Sequence, residues 1–338
     1  MKKSSFLIST VLLLGIIVSA CSSSTSGENN SDGAGDKQVT LKFATTFAGG
    51  DGQIGQTMSK FKELVESGTD GSVEVEIFDS GSLGGERDIL ESVSAGSVDV
   101  SLSGLSDVVY WLPDHFLSAP YLFRDQEHVN AVYTGEIGKE IDEKILEQKG
   151  IRTLSIMDRG PRHVTSNKKV ETPEDLEGLK LRLPENPLWV DTWGSLGVNP
   201  TVVAFNELYS ALQTGIVDAQ ENPLETIVQS QFYEVQDYLI LTGHVRDIYK
   251  IQISEESWNK LNEEQQEVVL TAAAEATELG NQVLTDSEDE YLKLLEDEGM
   301  EIIEIDLELF TEALSGSGQK IANEHMKAGL YESVKADY

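Results

Sequence analysis

Short strand-like segments alternate with amphipathic helical segments over most of this 338-residue chain. The predicted strands cover residues 39–46, 72–78, 98–103, 151–157, 162–166, 179–183, 247–254 and 301–305. The predicted helices cover residues 51–67, 85–95, 125–149, 172–175, 187–196, 206–213, 223–231, 262–297 and 319–333. Because strands that alternate with helices fold into a covered sheet, this order predicts an α/β fold with a mostly parallel core. The length is sufficient for two domains.

The first 38 residues have the composition of an export and tether segment. Lys2 and Lys3 precede an apolar run over residues 6–18, which is typical of a signal peptide and too short to span a bilayer as a mature helix. Val-Ser-Ala-Cys at the end of this run predicts a signal peptide over residues 1–20 and a lipid on Cys21. The alternative is an ordinary signal peptide with an unrelated cysteine. Residues 21–38, rich in Ser, Gly, Asn and Asp, predict a lipidated flexible tether.

The charge and the cysteine count exclude several classes of protein. The 59 acidic residues exceed the 25 basic ones and give a formal net charge of −34, which rules against nucleic acid as a partner. One cysteine allows no internal disulfide and no Cys-x-x-Cys redox pair. Salt screens charges beyond about 8 Å. One or two arginines inside a cleft can therefore bind an anion despite the acidic surface.

The sequence contains no convincing catalytic or metal-binding motif. Its five histidines lack His-Glu-x-x-His spacing, and there is no Gly-x-Ser-x-Gly elbow, so we predict no metal, no cofactor and no enzyme activity. Residues 50–55 do fit the Gly-x-Gly-x-x-Gly pattern of a dinucleotide site, with Glu74 or Glu76 as the ribose-binding acid. An exported protein has little access to dinucleotides. We therefore interpret this loop as a helix start whose N–H groups help to hold an anion or a hydroxyl.

Arg182 is the strongest candidate for an anion-binding residue. Leu179, Leu181 and Leu183 alternate with polar residues as in a half-buried strand, and Pro184 ends the pairing because it lacks an N–H. A guanidinium at a strand end is well placed to bind a carboxylate through two parallel hydrogen bonds. The alternative is an Arg on the wet face of an edge strand.

Residues 220–223, Gln-Glu-Asn-Pro, form the second notable segment. Pro223 suits the first turn of a helix and Asn222 suits its N-cap. In that case the Asn222 side chain is used to cap its own helix.

Four blocks in this region resemble the solute-binding proteins of TRAP transporters, which are tripartite, ATP-independent importers of organic acids. The blocks are LRLP at 181–184, FNELY at 205–209, ALQTG at 211–215 and VDAQENP at 217–223. The resemblance extends from about residue 39 to the last helix.

The resemblance implies a two-domain periplasmic-binding-protein-like fold with a hinge and a long interdomain helix. It predicts domain I over residues 39–158 plus 247–286 and domain II over residues 159–246 plus 287–338. The ligand is expected in the cleft, with the domains closing on it.

The resemblance also assigns roles to five residues. It matches Arg182 to the main carboxylate-binding Arg and Arg162 to an Arg that supports the carboxylate or its neighbour. Asn222 matches an Asn that contacts the ligand, and Phe205 an aromatic that packs on it. Glu86 matches an acidic position that accepts hydrogen bonds from hydroxyl groups. The alternatives are an exposed Arg beside a turn for Arg162 and a solvated first-turn acid for Glu86.

These observations predict a lipid-anchored extracytoplasmic receptor that delivers its ligand to the small and large membrane subunits of a TRAP importer. A sugar acid such as a uronate is favoured because Glu86 and Asn222 can read hydroxyl groups. A C4-dicarboxylate is the alternative because Arg162 can take a second carboxylate. We interpret Trp189 and Trp193 as core residues rather than a ligand platform. An exported oxidoreductase and a purely structural lipoprotein remain open at this point.

Overall fold

The computed structural model describes residues 38–337, without the side chains of residues 315–317 and 337. The predicted signal peptide, the lipidation site Cys21 and the tether up to residue 37 lie outside the described residues. Their assignments stay predictions.

The strands of the described residues are β1 (Val39–Ala44), β2 (Val73–Phe78), β3 (Val100–Ser103), β4 (Ile151–Ser166), β5 (Lys180–Leu183), β6 (Asn199–Val202), β7 (Ala219–Pro223), β8 (Tyr238–Ser254) and β9 (Glu301–Ile303). The α-helices are α1 (Gln53–Gly68), α2 (Glu86–Ser94), α3 (Ser106–Trp111), α4 (Gln126–Thr134), α5 (Glu136–Lys149), α6 (Pro187–Gly194), α7 (Leu208–Gln213), α8 (Leu224–Gln229), α9 (Glu255–Trp258), α10 (Glu263–Asp297), α11 (Leu307–His325) and α12 (Leu330–Asp337). Short 3-10 turns occupy Pro113–His115, Pro173–Leu176, Phe205–Glu207 and Phe232–Glu234.

These strands form one mixed sheet in the order β2-β1-β3-β8-β4-β7-β5-β6, with β9 paired to β8. On one flank β1 runs parallel to β2 and β3, and on the other β5 runs parallel to β6 and β7. The centre is antiparallel, because β8 pairs antiparallel with both β3 and β4, and β4 with β7. The α/β class is confirmed. We predicted a mostly parallel core, but along the order from β2 to β6 parallel strand pairing is found only on the two flanks of the sheet.

Two long strands join the flanks of the sheet. β4 has 16 residues and β8 has 17, so each runs through both halves. The sequence predicted two separate strands on either side of Gly160-Pro161, a pair typical of turns. Instead, β4 continues through this pair with a shift in register between Asp158 and Pro161, where Gly160 has a φ of +75°. The predicted domain boundaries at 158/159 and 246/247 fall at this shift and stay a prediction.

The 35-residue helix α10 packs against both halves of the sheet. Ala272 and Ala276 lie in the apolar cluster around α1 and β1–β3, whereas Tyr291 and Leu295 lie in the cluster around α7 and α8. The helix begins with a capping box, in which Asn262 accepts from the Gln265 backbone N–H and the Gln265 side chain accepts in return. The predicted long helix is thus observed, and it links the two halves.

Three helix predictions are wrong in detail. The predicted helix over residues 125–149 is two helices, since Gly135 interrupts it with an extended backbone. The predicted closing helix over residues 319–333 is the end of α11 and the start of α12, which Met326 separates in an extended conformation. The predicted helix over residues 223–231 begins one residue later, and its consequence for Asn222 is described below.

Candidate functional site

A cavity lies where β3 and β5 end and where β4 and β7 pass each other. Its walls include all five residues predicted to bind ligand, namely Glu86, Arg162, Arg182, Phe205 and Asn222. The cavity volume of about 60 Å³ corresponds to roughly four to six water positions. This volume suits a small molecule and is far too small for a dinucleotide. That these side chains bind ligand stays a prediction.

Arg182 is buried inside the sheet, with 3% of its surface exposed. β5 lies between β6 and β7, so the alternative of an exposed Arg on an edge strand is wrong. Its Nε donates to the carbonyl oxygen of Val203 at 2.8 Å, and among residues 38–337 no carboxylate forms an ion pair with its guanidinium. Burial lowers the pKa of Arg182 to about 10, although Glu221 opposes the shift. The terminal nitrogens therefore form a buried cationic group suited to an anion.

Arg162 is also buried, but Glu221 already neutralises it. Its Nε and Nη2 donate to the two carboxylate oxygens of Glu221 at 2.5 and 3.0 Å. Burial alone raises the pKa of Glu221, yet Arg162 and His244 hold that pKa at about 2. The alternative of an exposed Arg beside a turn is wrong. The guanidinium lies over the Trp189 ring, with Cζ 5.0 Å from the ring centroid, and is fixed in position.

Asn222 belongs to a strand and does not cap a helix. It pairs with His163 across the β4–β7 ladder, and Pro223 is the extended residue before α8. Its Oδ1 accepts from Arg162 Nη2 at 2.9 Å and its Nδ2 donates to Gln220 Oε1 at 2.6 Å. The capping interpretation is therefore wrong, because strand pairing holds this backbone extended. One amide N–H and one oxygen lone pair remain for other partners.

Glu86 and Phe205 reach the cavity from opposite flanks of the sheet. Glu86 begins α2 and is half-buried, and its Oε1 accepts from the backbone N–H of Gly104 at 2.9 Å. It is therefore more than a solvated first-turn acid. The Phe205 ring contacts the Phe47 ring at 5.1 Å between centroids and lies 6.0 Å from Arg182 Cζ.

A second charged pair in the cavity wall, Arg159 and Asp247, was not predicted from the sequence. Both are buried, and Arg159 Nη1 lies 3.5 Å from Asp247 Oδ2. Arg159 Cζ lies 5.0 Å from the Phe47 ring centroid and 4.6 Å from that of Tyr249. Burial alone lowers the pKa of Arg159, but Tyr249 and Asp247 raise it above its usual value. One sequence feature could have pointed to this pair: Arg159 lies three residues before Arg162, on the other side of Gly160-Pro161.

Residues 43–325 match the family described as bacterial extracellular solute-binding protein, family 7. The chain belongs to this family. A solute-binding protein of Roseobacter denitrificans is 41% identical over 248 residues, which cover 73% of this chain and 76% of that protein.

Solved structures of family members confirm the fold. A TRAP periplasmic solute-binding protein from Roseobacter denitrificans with bound L-galactonate has a TM-score of 0.83 and 36% identity, covering 89% of this chain and 98% of that one. A TRAP periplasmic solute-binding protein from Sulfurospirillum deleyianum with bound succinate has a TM-score of 0.83 and 27% identity. The match covers 89% of this chain and 99% of that one. The two-domain fold of the periplasmic-binding-protein type, with a hinge and long helix, is confirmed.

The family assignment also confirms the predicted class of function. Members are extracytoplasmic solute-binding proteins of transport systems, so this chain is a TRAP solute-binding protein and not an enzyme. Within residues 38–337 no helix has the length and apolar character needed to cross a membrane. The same residues hold no cluster of three or more His, Cys, Asp or Glu side chains suited to a metal ion.

Trp189 and Trp193, the two tryptophans of α6, are both buried in this solute-binding protein. Trp193 is fully buried with its ring against His244, at 5.1 Å between centroids. Trp189 donates its indole N–H to the Ser118 carbonyl at 2.5 Å, and its ring supports Arg162 at the cavity wall. Trp193 is therefore a core residue, whereas Trp189 both packs in the core and lines the site.

The glycine-rich loop at residues 50–55 lies outside the cavity lining. It leads into α1, and the Glu225 carboxylate accepts a hydrogen bond from the Ile54 backbone N–H at 3.1 Å. Burial raises the pKa of Glu225 to about 7. The prediction that this helix start helps to hold the ligand is wrong, because a protein carboxylate already occupies it.

Proposed function

We propose that this chain is the receptor of a TRAP importer that binds a small organic acid through its carboxylate at Arg182. The observation that carries the proposal is the buried Arg182 guanidinium in the cavity wall, paired with no carboxylate among the described residues. A buried charge without a counter-ion is unfavourable, so an anionic ligand stabilises it strongly. Each hydrogen bond to a charged group contributes about 1.5–3 kcal/mol, against about 8 kcal/mol in total for micromolar binding.

A sugar acid is the ligand class that fits this cavity best. Arg162 is bound to Glu221 at both carboxylate oxygens, so its charge is already neutralised and attracts a second ligand carboxylate less. Glu86 and Asn222 keep hydrogen-bonding capacity that suits hydroxyl groups. The L-galactonate in the Roseobacter denitrificans structure supports this choice. The succinate in the Sulfurospirillum deleyianum structure keeps a C4-dicarboxylate as the second candidate.

Differential scanning fluorimetry of the wild-type protein tests the ligand class. L-galactonate and D-glucuronate should raise the melting temperature, and succinate and malate should have a smaller effect. The stabilisation follows from mass action, since the ligand binds the folded state alone. Stabilisation by succinate or malate and not by the sugar acids would reverse the assignment.

The lipid anchor and the delivery to membrane subunits belong to the same proposal. They are supported by the Val-Ser-Ala-Cys sequence at residues 18–21 and by the family's role in transport. Wild-type protein should fractionate with membranes, and Cys21→Ser should appear in the soluble extracytoplasmic fraction. Membrane association that survives the substitution would contradict the anchor.

A further inference from the structure

Asp247 and Arg159 form a polar pair in the cavity wall that is incompletely hydrogen-bonded. Asp247 comes from β8 and is 3% exposed, and Arg159 comes from β4 and is 8% exposed. Asp247 Oδ2 faces Arg159 Nη1 at 3.5 Å and Arg162 Nη1 at 3.9 Å. Asp247 Oδ1 and Arg159 Nε are buried and have no hydrogen-bond partner among residues 38–337.

These two atoms have complementary needs. Asp247 Oδ1 is an acceptor that lacks a donor, and Arg159 Nε–H is a donor that lacks an acceptor. Buried polar atoms are nearly always satisfied, because an unpaired one carries a large desolvation cost. Both side chains line the cavity. A hydroxyl group offers one donor and two acceptor lone pairs, so it supplies what the two atoms lack once the side chains turn toward a bound ligand.

The charges around the pair favour a neutral polar group. Arg159 and Arg162 face Asp247, and Glu86 Oε1 and Arg159 Nη1 both approach Gly104. A second ligand carboxylate placed beside this pair would meet the Asp247 carboxylate, and like charges at short range repel. A neutral hydroxyl donor meets no such opposition.

We propose that Asp247 and Arg159 bind a hydroxyl group of the ligand, and that Asp247 excludes ligands that place a second carboxylate beside this pair. This inference rests on the proposed function, since it places the ligand carboxylate at Arg182. It makes Asp247 a specificity-determining residue for hydroxylated monocarboxylates.

Calorimetry with L-galactonate, D-glucuronate and succinate tests the proposal. Asp247→Ala should weaken binding of the sugar acids by about tenfold to a hundredfold, the value of a hydrogen bond to a charged group. The same variant should gain affinity for succinate, because Arg159 loses its counter-ion. Asp247→Asn keeps an acceptor oxygen without the charge. It should lose less sugar-acid affinity than Asp247→Ala and still gain affinity for succinate.

A matched control is Asp218→Asn, which removes a carboxylate paired with Lys168 outside the cavity. It should leave the affinities for all three acids unchanged. Wild-type protein provides a test that needs no variant. Among aldonates that each lack a single hydroxyl, one analogue should bind about tenfold to a hundredfold more weakly than the parent.

The possible failures are distinguishable. If sugar acids bind through Arg182 but no single hydroxyl matters, or if both Asp247 variants keep the wild-type preference, this inference is wrong and the proposed function stands. If none of the three acids binds the wild-type protein, the proposed function itself fails.

Discussion

Glu225 shows how one buried side chain makes the stability of this protein depend on pH. Its pKa is raised from 4.5 to about 7, first because it is buried, while its hydrogen bonds to the α1 backbone oppose the shift. A raised carboxyl pKa means that ionisation opposes folding. Its contribution to stability is therefore fully present below about pH 4.5 and is lost as the pH rises through 7.

We predict that Glu225→Gln is more stable than wild type at pH 8, by up to about 3 kcal/mol, and gains little at pH 5. Thermal unfolding at both pH values measures the difference. Glu66→Gln is a control of opposite sign, because a backbone hydrogen bond from Val75 lowers the pKa of Glu66. A pH-independent effect of Glu225→Gln would contradict this account.

Much of the site could not be predicted at the residue scale, because charged residues in a sequence are expected at the surface. From the sequence, Arg159 and Asp247 would be expected at the surface. In the structure both are buried and lie next to each other. Arg182, Arg162, Asn222, Phe205 and Glu86 were placed by family resemblance, and all five line one cavity. From the alternating pattern of residues 179–183 alone, Arg182 was more readily interpreted as exposed to solvent.

At the scale of elements, periodicity located most strands and helices. It missed β6 and β7, and it did not predict the connections through the centre of the sheet. The alternating pattern located β1, β2 and β5 within two residues of their observed ends. The pattern failed at β4, because the local turn preference of Gly160-Pro161 is overridden by pairing with β8 across the register shift. The prediction that Asn222 caps a helix failed for the same reason, because Asn222 pairs with β4 as part of strand β7.

At Gly280, helix α10 packs closely against its neighbours. The helix runs unbroken through this glycine. A methyl group at this position would overlap the Met157 Sδ and Thr57 Oγ1 atoms. Gly280 therefore lets the long helix approach β4 and α1.

We predict that Gly280→Ala lowers stability by about 1–3 kcal/mol, because overpacking outweighs the gain in helix propensity. Gly318→Ala in α11 is the matched control, since among the described atoms the nearest to the added methyl group would be the Thr192 methyl carbon at 4.0 Å. That variant should be unchanged or up to about 1 kcal/mol more stable. Urea unfolding measures both, and equal effects at the two positions would contradict the packing argument.

At the scale of the whole molecule, we propose that the domain boundaries predicted above are those across which the cleft closes. Under this proposal, the ion pair of Arg87 and Glu185 at the cavity mouth joins the two domains. Arg87 Nη2 contacts Glu185 Oε1 at 2.9 Å, and its guanidinium lies 3.8 Å from the Tyr110 ring centroid. The Arg87 side chain is 42% and the Glu185 side chain 58% exposed, so the pair contributes at most about 1 kcal/mol.

We predict that Glu185→Gln increases the rate of ligand release by no more than about fivefold and makes that rate less dependent on salt. Stopped-flow tryptophan fluorescence with L-galactonate measures the rate. Lys293→Gln, in an exposed pair with Asp297 along α10, is the control and should leave release unchanged. Release unaffected by Glu185→Gln at low salt would argue against a closing contact at this position.

The central claim is that a ligand carboxylate binds the buried Arg182 guanidinium, and calorimetry on Arg182→Ala tests it most directly. We expect the variant to fold and to lose nearly all measurable affinity for the acid that stabilises the wild type. Arg182→Lys should fail as well, because an ammonium group lacks the two-pronged geometry of a guanidinium. An Arg182→Ala affinity within about threefold of wild type, less than 1 kcal/mol, would contradict the account.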